Sequence, residues 1–324
     1  MKRIIKTAYV SLLMFVILQA MGCSFMRNMQ TFNTFDEKNG LDKVEFSEII
    51  WTNDTLSNKI KKRVAFYIPV KIKGIDRVLY MQFDTGTPKT IFYERPLKKF
   101  VKLNSNLEKQ ISGADNNMFI NQVELELNNK ILTATELRVK KDFGDVNIDS
   151  DIVIIGTIGF DILVGRTLIL DFRNNKYCIT SRRAEELNYN IDYIQDASVD
   201  KFPLFIPARI GEKEIRLLYD TGSSMFTILT NMDNFNRAST NSSIDTIGGI
   251  SSWGKMYSVY QKYLDKPIEF GHLKLDNQLI FGKEIKTFLD YFPDWYYYGK
   301  MGNKLFENRI IIIDNVNNKF GIIQ

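Results

Sequence analysis

The chain has 324 residues, of which 44% are hydrophobic and 13% are aromatic, and its formal net charge is +5. That is enough apolar material for one large domain or two medium ones, and the ordinary charged fraction of 25% excludes a wholly disordered chain. Three basic residues lie within the first six positions, and the net charge without them is +2. The other basic pairs are scattered, so the composition predicts no nucleic-acid partner.

Histidine and cysteine are scarce, and this limits the possible chemistry. The single histidine, His272, lies in Phe-Gly-His-Leu, which is typical of a turn between strands. One histidine disfavours His-based triads and multi-histidine zinc sites, and we predict neither a metal nor a cofactor. Cys178, in Tyr-Cys-Ile, is predicted to be a buried strand residue, and a nucleophilic thiol is the less favoured alternative.

The first 22 residues have the parts of an export signal. A basic start, an apolar run over residues 7–20 and a small residue before Cys23 follow one another. The apolar run is too short for a comfortable membrane span. The ending resembles a bacterial lipobox, which implies cleavage before Cys23, lipid on that residue, and anchoring in the cell envelope on the periplasmic face of the outer membrane. Ala20 replaces the preferred leucine, so an uncleaved anchor or an ordinary signal peptide is the alternative.

Residues 23–60 are polar and mixed, with isolated aromatic side chains. We expect much of this stretch to be a tether. The segment from Val44 to Trp51 is the exception, because it has the composition of a strand that joins the folded body.

The rest of the chain repeats itself. From residue 66 it reads FYIPVKIKGIDRVLYMQFDTGTPKTIF, and from residue 205 it reads FIPARIGEKEIRLLYDTGSSMFTIL. Each copy predicts a strand, a turn, a second strand, Asp-Thr-Gly and another apolar strand. Two copies are too few and too long for a solenoid or a propeller. We therefore predict a mostly β fold with a few short helices, in two facing lobes of residues 61–190 and 191–324.

A second pair of segments repeats later in each half. One reads IIGTIGFDILVGRTLILDFRNNKYCI from residue 154, and the other reads YYGKMGNKLFENRIIIIDNVNNKFGI from residue 297. Each contains Asn-Asn near its end, which suits a tight hairpin, and Asp171 and Asp314 precede these turns as predicted capping residues. Short helical turns are expected at residues 159–165 and 303–309.

The duplicated Asp-Thr-Gly points to chemistry, because one such tripeptide is a common turn. Two adjacent carboxyls cannot both ionise cheaply, so they share one proton. The ionised member can take a proton from water while the protonated member donates to a peptide carbonyl. We predict Asp84 and Asp220 as this pair. The supporting residues are predicted to be Thr85, Gly86, Thr87, Thr221, Gly222 and Ser223, with the glycines permitting tight turns, Thr85 and Thr221 bracing the loops, and Thr87 and Ser223 bonding the carboxylates.

These motifs resemble those of the pepsin and retropepsin superfamily of aspartic peptidases over residues 61–324. The Asp-Thr-Gly copies match its catalytic motif, and Ile154-Ile155-Gly156 and Tyr297-Tyr298-Gly299 match its later hydrophobic-glycine motif. The resemblance implies a bilobal β fold, a cleft between the lobes, a water activated by both aspartates, and a peptide or unfolded protein as substrate. It also suggests flap tips at Gly113 and at Gly248 and Gly249, with Trp253 in the second flap.

Some features weaken the parallel. Pro88 follows the first motif, where the family usually continues with serine, and this favours the alternative of a non-catalytic peptide-binding or scaffolding envelope lipoprotein. The aromatic residues 291–298 are expected either to line the cleft or, more readily, to pack in the core. Because one chain carries both motifs, dimerisation is not needed, and we predict a monomer.

Overall fold

The computed structural model describes residues 33–191, 193–196, 202–240, 242 and 245–323, with only the backbone of 193–196. The predicted signal peptide (1–22) and Cys23 lie outside the described residues. Strands make up 47% of the structure and helices 15%, which confirms the mostly β prediction. No helix in the described part of the chain is both long enough and apolar enough to cross a membrane.

The first sheet has nine strands and belongs to the first half of the chain. Its order is β1-β9-β6-β10-β5-β4-β8-β7, with β3 paired to β4. The strands are β1 (Phe35–Asn39), β3 (Ile50–Leu56), β4 (Lys59–Ile72), β5 (Leu79–Phe83), β6 (Ile91–Tyr93), β7 (Ile111–Ser112), β8 (Phe119–Leu127), β9 (Lys130–Lys140) and β10 (Ile154–Ile158).

Another nine-stranded sheet belongs to the second half of the chain, in the order β17-β18-β21-β16-β22-β15-β14-β19-β20. Its strands are β14 (Phe205–Ile210), β15 (Lys213–Tyr219), β16 (Ile228–Asn231), β17 (Asp245–Ser252), β18 (Lys255–Tyr263), β19 (Ile268–Phe270), β20 (Leu273–Leu275), β21 (Leu279–Lys283) and β22 (Gly299–Met301). His272 lies in the tight turn between β19 and β20, as predicted.

A six-stranded sheet joins the two halves, in the order β13-β24-β23-β11-β12-β2. Its strands are β2 (Ser47–Glu48), β11 (Thr167–Asp171), β12 (Lys176–Thr180), β13 (Tyr193–Asp196), β23 (Ile310–Asp314) and β24 (Lys319–Ile323). Strands β11 and β23 pair antiparallel, with Ile169 opposite Ile312. Every side chain of these two strands is buried, so the segments that repeat in sequence meet each other in the core.

The two Asn-Asn hairpins form as predicted. Asn175 and Asn318 have φ of 54° and 56°, in the left-handed region that asparagine tolerates. Oδ1 of Asp171 accepts from the backbone N–H groups of residues 173 and 174 at 3.1 Å, and Oδ1 of Asp314 accepts from those of 316 and 317 at 2.9 Å. Both aspartates therefore cap turns. Cys178 is buried on β12, which confirms its predicted place.

Helices are short and few among the described residues. They are α1 (Glu94–Leu103), α2 (Ser105–Glu108) and α3 (Met232–Ala238). The first and third directly follow β6 and β16, so each half places a helix at the same point after its Asp-Thr-Gly. The expected helical turns form as 3-10 segments at Phe160–Leu163 and Asn303–Phe306.

The prediction of a tether is wrong for much of the described part of residues 23–60, whereas the strand expected within residues 44–51 is present as β2 and the beginning of β3. Strand β1 pairs with β9, β2 pairs with β12, and β3 forms a long hairpin with β4. Trp51 packs on Phe66 and Phe172, with ring centroids 5.3 and 5.7 Å apart. Sequence missed this because the hairpin is polar on one face and its apolar residues are widely spaced.

The tip of the β3–β4 hairpin reaches the second half of the chain. Leu56 is 5% exposed and belongs to an apolar cluster whose other buried members come from the second half of the chain. The Ser57 hydroxyl accepts from the backbone N–H of Gly248 at 2.8 Å, and Lys59 pairs with Asp245 at 2.8 Å. The hairpin is therefore an arm that ties the two halves together.

This arm makes a testable prediction for stability. Leu56→Ala is expected to lower the free energy of unfolding by about 2–4 kcal/mol, because it removes a buried side chain and leaves a cavity. Ile60→Ala is the matched control, since Ile60 lies on the same hairpin but is 72% exposed, and a change below about 0.5 kcal/mol is expected. Denaturant unfolding measures both, and equal small effects would contradict the docked arm.

Candidate active site

The two Asp-Thr-Gly loops lie in equivalent strand frameworks. Asp84 follows β5, the chain returns as β6, and β10 lies between them, parallel to β5 and antiparallel to β6. Asp220 follows β15, the chain returns as β16, and β22 lies between them in the same two senses. The similarity of the two sequence copies therefore extends to how each aspartate loop is supported.

The middle strand needs glycine in both frameworks. A Cβ on Gly156 would lie 2.3 Å from the carbonyl oxygen of Ile91, and one on Gly299 would lie 2.6 Å from that of Leu229. Neither distance is tolerable for a side chain. The later glycine motif thus permits close packing of the strand that supports each aspartate loop.

Four buried hydrogen bonds join the loops. The backbone N–H of Thr85 donates to the Thr221 hydroxyl at 2.9 Å, and the N–H of Thr221 donates to the Thr85 hydroxyl at 3.1 Å. Each hydroxyl then donates across to the strand before the other aspartate, to the carbonyls of Tyr219 and Phe83 at 2.9 and 2.8 Å. Both threonines are at most 1% exposed, so water does not compete for these bonds.

Each loop's glycine lies against the other loop's carboxyl. A Cβ on Gly86 would lie 2.4 Å from the Asp220 carboxyl, and a Cβ on Gly222 would lie 2.5 Å from the Asp84 carboxyl. Neither glycine has a positive φ. Their role is therefore to let the opposite carboxyl approach, rather than to permit a left-handed turn.

The two carboxyls are buried side by side within hydrogen-bonding reach of each other. Oδ1 of Asp84 accepts from the N–H of Gly86 at 2.9 Å. Oδ2 of Asp220 accepts from the Ser223 hydroxyl at 2.9 Å, as expected. Oδ1 of Asp220 is buried and receives no bond from any other described group, which leaves it available to a proton on Asp84.

The expected Thr87 side-chain bond to Asp84 is not formed among the described residues. Thr87 instead donates its backbone N–H to the Asp84 carbonyl at 3.2 Å, and Ser223 makes the equivalent backbone bond to Asp220 at 3.0 Å. Pro88 leaves this turn intact, because the bond uses the N–H of the preceding residue. The carbonyl of Pro88 accepts from the N–H of Asp161 at 3.2 Å, so proline fits the first loop.

The two carboxyls have opposite pKa shifts. Burial, and then the neighbouring Asp220 charge, raise the pKa of Asp84 well above its ordinary value. Burial alone would also raise the pKa of Asp220, but the Lys300 ammonium and the bonds from Lys300, Asp84 and Ser223 outweigh it and lower that pKa. These opposite directions favour the singly protonated pair, with the proton on Asp84 and with Asp220 ionised.

Lys300 is the site residue that the sequence analysis missed. Its Nζ lies 2.7 Å from Oδ2 of Asp220, and the side chains of Lys300 and Asp220 are 30% and 4% exposed. Burial would lower the pKa of Lys300, but Asp220 raises it above its ordinary value, so the lysine is charged. The only signal was its position directly after Gly299 in the repeated motif, where the first half has Thr157.

Two cavities that share Gln82, Gly222, Ser251 and Ser252 form a cleft beside the aspartate loops, and Asp84 lines one of them. The larger, about 420 Å³, is bounded by the β3–β4 arm, by the loop after Asp220 and by Ile250 and Tyr257 of β17 and β18. The smaller, about 200 Å³, contains Asp84 and is lined by Tyr93, Phe143 and Trp253. The larger volume is in the range of sites that hold ligand groups of several atoms.

The predicted flaps are only partly where the structure has them. Gly113 lies in the connection between the paired strands β7 and β8 with φ +71°, as a hairpin residue should, but it lines neither cavity. The β3–β4 arm takes that position over the cleft. Gly248 and Gly249 lie at a bulge in β17 instead of a tip. The β17–β18 tip is formed by Trp253 and Gly254, with φ of 52° and 82°.

Trp253 closes one side of the cleft. Its ring lies 5.7 Å from Phe143 of the first half, which in turn lies 5.2 Å from Tyr93. Lys140 Nζ lies 5.0 Å from the Trp253 ring centroid and 4.8 Å from that of Phe143, within cation–π range. The flap therefore bridges to the opposite wall directly over the Asp84 cavity.

The aromatic residues 291–298 do not line either of these cavities. Tyr297 and Tyr298 are buried, which agrees with the core interpretation, whereas Tyr291 and Trp295 are 76% and 68% exposed. In the described part of the chain, no group of three or more His, Cys, Asp or Glu residues is arranged to hold a metal ion. The two cavities are thus bounded by Asp84, by the loop after Asp220, by the arm and by the β17–β18 flap.

The opposite pKa shifts predict opposite effects of neutralising each carboxyl. Because the pKa of Asp84 is raised in the folded state, the folded state loses stability as the pH rises above the ordinary pKa of an aspartate. Asp84→Asn removes this loss, since asparagine does not ionise. This variant is expected to gain at least about 1 kcal/mol at pH 8 and nothing at pH 3. Asp220→Asn is expected to lose about 1–3 kcal/mol at pH 8, because Lys300 loses its ionised partner. Thermal unfolding at both pH values measures this, and equal behaviour of the two variants would contradict the asymmetry.

Comparison with known proteins adds no assignment. The chain matches no protein-family profile and no curated protein.

Proposed function

We propose that this protein is an aspartic endopeptidase with a bilobal pepsin-like fold, which hydrolyses peptide bonds with a water activated by Asp84 and Asp220. The observation that carries the proposal is the reciprocal approach of the two loops, in which each glycine makes room for the other loop's carboxyl. A turn kept for backbone geometry alone does not require this mutual fit. Two buried carboxyls with pKa values driven apart are the arrangement that acid–base hydrolysis needs.

The first step would form the tetrahedral adduct. Asp220, ionised, takes a proton from the attacking water as the water oxygen bonds to the peptide carbonyl carbon. Asp84, protonated, donates its proton to the carbonyl oxygen, so that a neutral gem-diol forms and no separate oxyanion site is needed.

The second step would break the peptide bond. Asp220 now carries the proton from water and donates it to the amide nitrogen, while Asp84 takes a proton back from a gem-diol hydroxyl. The C–N bond breaks, the carboxyl and amine products separate, and the pair returns to its starting protonation.

The shape of the cleft supports an extended peptide as the substrate. The larger cavity has an apolar side formed by Leu56, Met225, Phe226 and Ile250 and a polar side that includes Thr52 and Asn53. Apolar surface can take side chains, and the polar groups can pair with a peptide backbone. The Trp253 contact with Phe143 must open for a chain to enter beside Asp84, which gives the flap the role of a lid.

The direct test is cleavage of a denatured protein by the full chain in detergent. Asp84→Asn and Asp220→Asn are each expected to reduce the rate at least about 10²–10⁴-fold, since each removes a proton-transfer group. Asp115→Asn is the control, because Asp115 is exposed, pairs with Lys141 and lies outside the cleft. Undiminished cleavage in both site variants would contradict the proposal, and peptide binding without products from the wild type would favour the non-catalytic alternative.

We further propose, from the signal-like residues 1–22 and the lipobox-like ending, that the protein is exported and anchored in the cell envelope through lipid on Cys23. Two acyl chains or more give stable membrane attachment. Cells fed labelled palmitate should yield labelled wild-type protein and unlabelled Cys23→Ala protein, with Cys178→Ala as the control. Label that persists in Cys23→Ala would contradict the anchor.

A further inference from the structure

Lys300 breaks the symmetry of two otherwise equivalent frameworks. It follows Gly299 on β22, and Thr157 holds the same place after Gly156 on β10. The Thr157 hydroxyl lies 2.5 Å from the hydroxyl of Tyr93, a neutral pair. The first half therefore supports its aspartate with uncharged groups, and the second half supplies a cation.

The Lys300 ammonium donates to one of the four carboxyl oxygens of Asp84 and Asp220 and makes no bond to the other three. Nζ donates to Oδ2 of Asp220 at 2.7 Å, the same oxygen that accepts from the Ser223 hydroxyl. This leaves Oδ1 of Asp220 and the Asp84 carboxyl to share a proton and contact a substrate. Several further titratable groups interact with Asp84, Asp220 or Lys300: Tyr93, Tyr219, Tyr257, Lys283 and Tyr297.

We propose that Lys300 is a positioning residue of this site, which assigns Asp220 as the base and Asp84 as the acid and extends the working range of the pair toward lower pH. This inference rests on the proposed peptidase function. Lys300 touches Asp220 and acts through it, and its charge is the largest influence that lowers the pKa of Asp220, to which the Ser223 hydroxyl adds.

Coulomb attraction gives the physical reason. A positive charge in contact with a carboxylate stabilises its ionised form, most strongly for the nearer carboxyl. The lower of the pair's two pKa values describes loss of the first proton, which converts the doubly protonated pair into the singly protonated one. Because the cation lowers this pKa, the singly protonated state remains populated in more acidic solution. The tyrosines stay neutral at these pH values because burial raises the pKa of Tyr219, Tyr257 and Tyr297. They therefore do not compete with Lys300 in setting the charge.

The kinetic test compares pH–rate profiles of the full chain on a denatured protein. Lys300→Met is expected to shift the acid limb, the part of the profile where the rate rises with pH, to higher pH by about one to three units. This is the range of pKa change expected from the loss of one contacting charge under strong or weak dielectric screening. The alkaline limb should move the same way by a smaller amount, because Asp84 lies farther from the charge. Lys300→Arg keeps the charge and should leave the acid limb within about half a unit of the wild type.

The matched control is Lys304→Met, which removes a lysine four positions on that pairs with Glu307 and not with the aspartates. Its acid limb should coincide with that of the wild type. Coincident acid limbs for Lys300→Met and the wild type would overturn the inference, and so would an upward shift in Lys304→Met of the same size.

A second readout does not require cleavage. The lowered pKa of Asp220 stabilises the fold above the ordinary aspartate pKa, and this contribution is lost as pH falls through the lowered value. The melting temperature of the wild type minus that of Lys300→Met should therefore increase between pH 3 and pH 6. A difference independent of pH would contradict the Lys300 role. If the wild type cleaves nothing but the gain appears, the peptidase proposal fails while the ion pair stands.

Discussion

The reciprocal hydrogen bonding of Thr85 and Thr221 is the constraint on which the rest of the site depends. Each threonine fixes the other's loop through a backbone N–H and a carbonyl, and all four bonds are shielded from water. Breaking one leaves a buried polar group unpaired, at a cost of roughly 1–3 kcal/mol. The loops therefore move together or not at all, and the two carboxyls stay in contact despite their mutual repulsion.

That contact is the source of the chemistry. Two carboxyls brought together in a buried site hold one proton between them, and the similar strands around them give no preference for either. The preference comes mainly from the Lys300 charge on β22, at a place where the other half has a hydroxyl, and the Ser223 bond to Asp220 adds to it. A nearly two-fold framework supplies the precision, and a departure from that symmetry supplies the distinct roles of acid and base.

Much of the fold could be predicted because the same motifs occur in both halves of the sequence. The Asp-Thr-Gly copies, the glycine motifs and the Asn-Asn hairpins each require particular residue types at fixed spacing, and period-two alternation marks the strands between them. The β3–β4 arm could not be predicted in this way. Residues 50–60 are polar along an exposed edge, and the contacts of Leu56 and Ser57 are with residues nearly 200 positions away, which no local pattern reveals.

Lys300 shows the same limit inside the site. In sequence it is one of many scattered lysines, and only the fold brings its Nζ to Asp220.

The most direct measurement of the shared proton is a carbon-13 NMR titration of the aspartate carboxyls, assigned with Asp84→Asn and Asp220→Asn. We expect one carboxyl to titrate below the ordinary aspartate range and Asp84 well above it. Two independent transitions near pH 4 would contradict the account, because they would mean that the carboxyls do not share a proton.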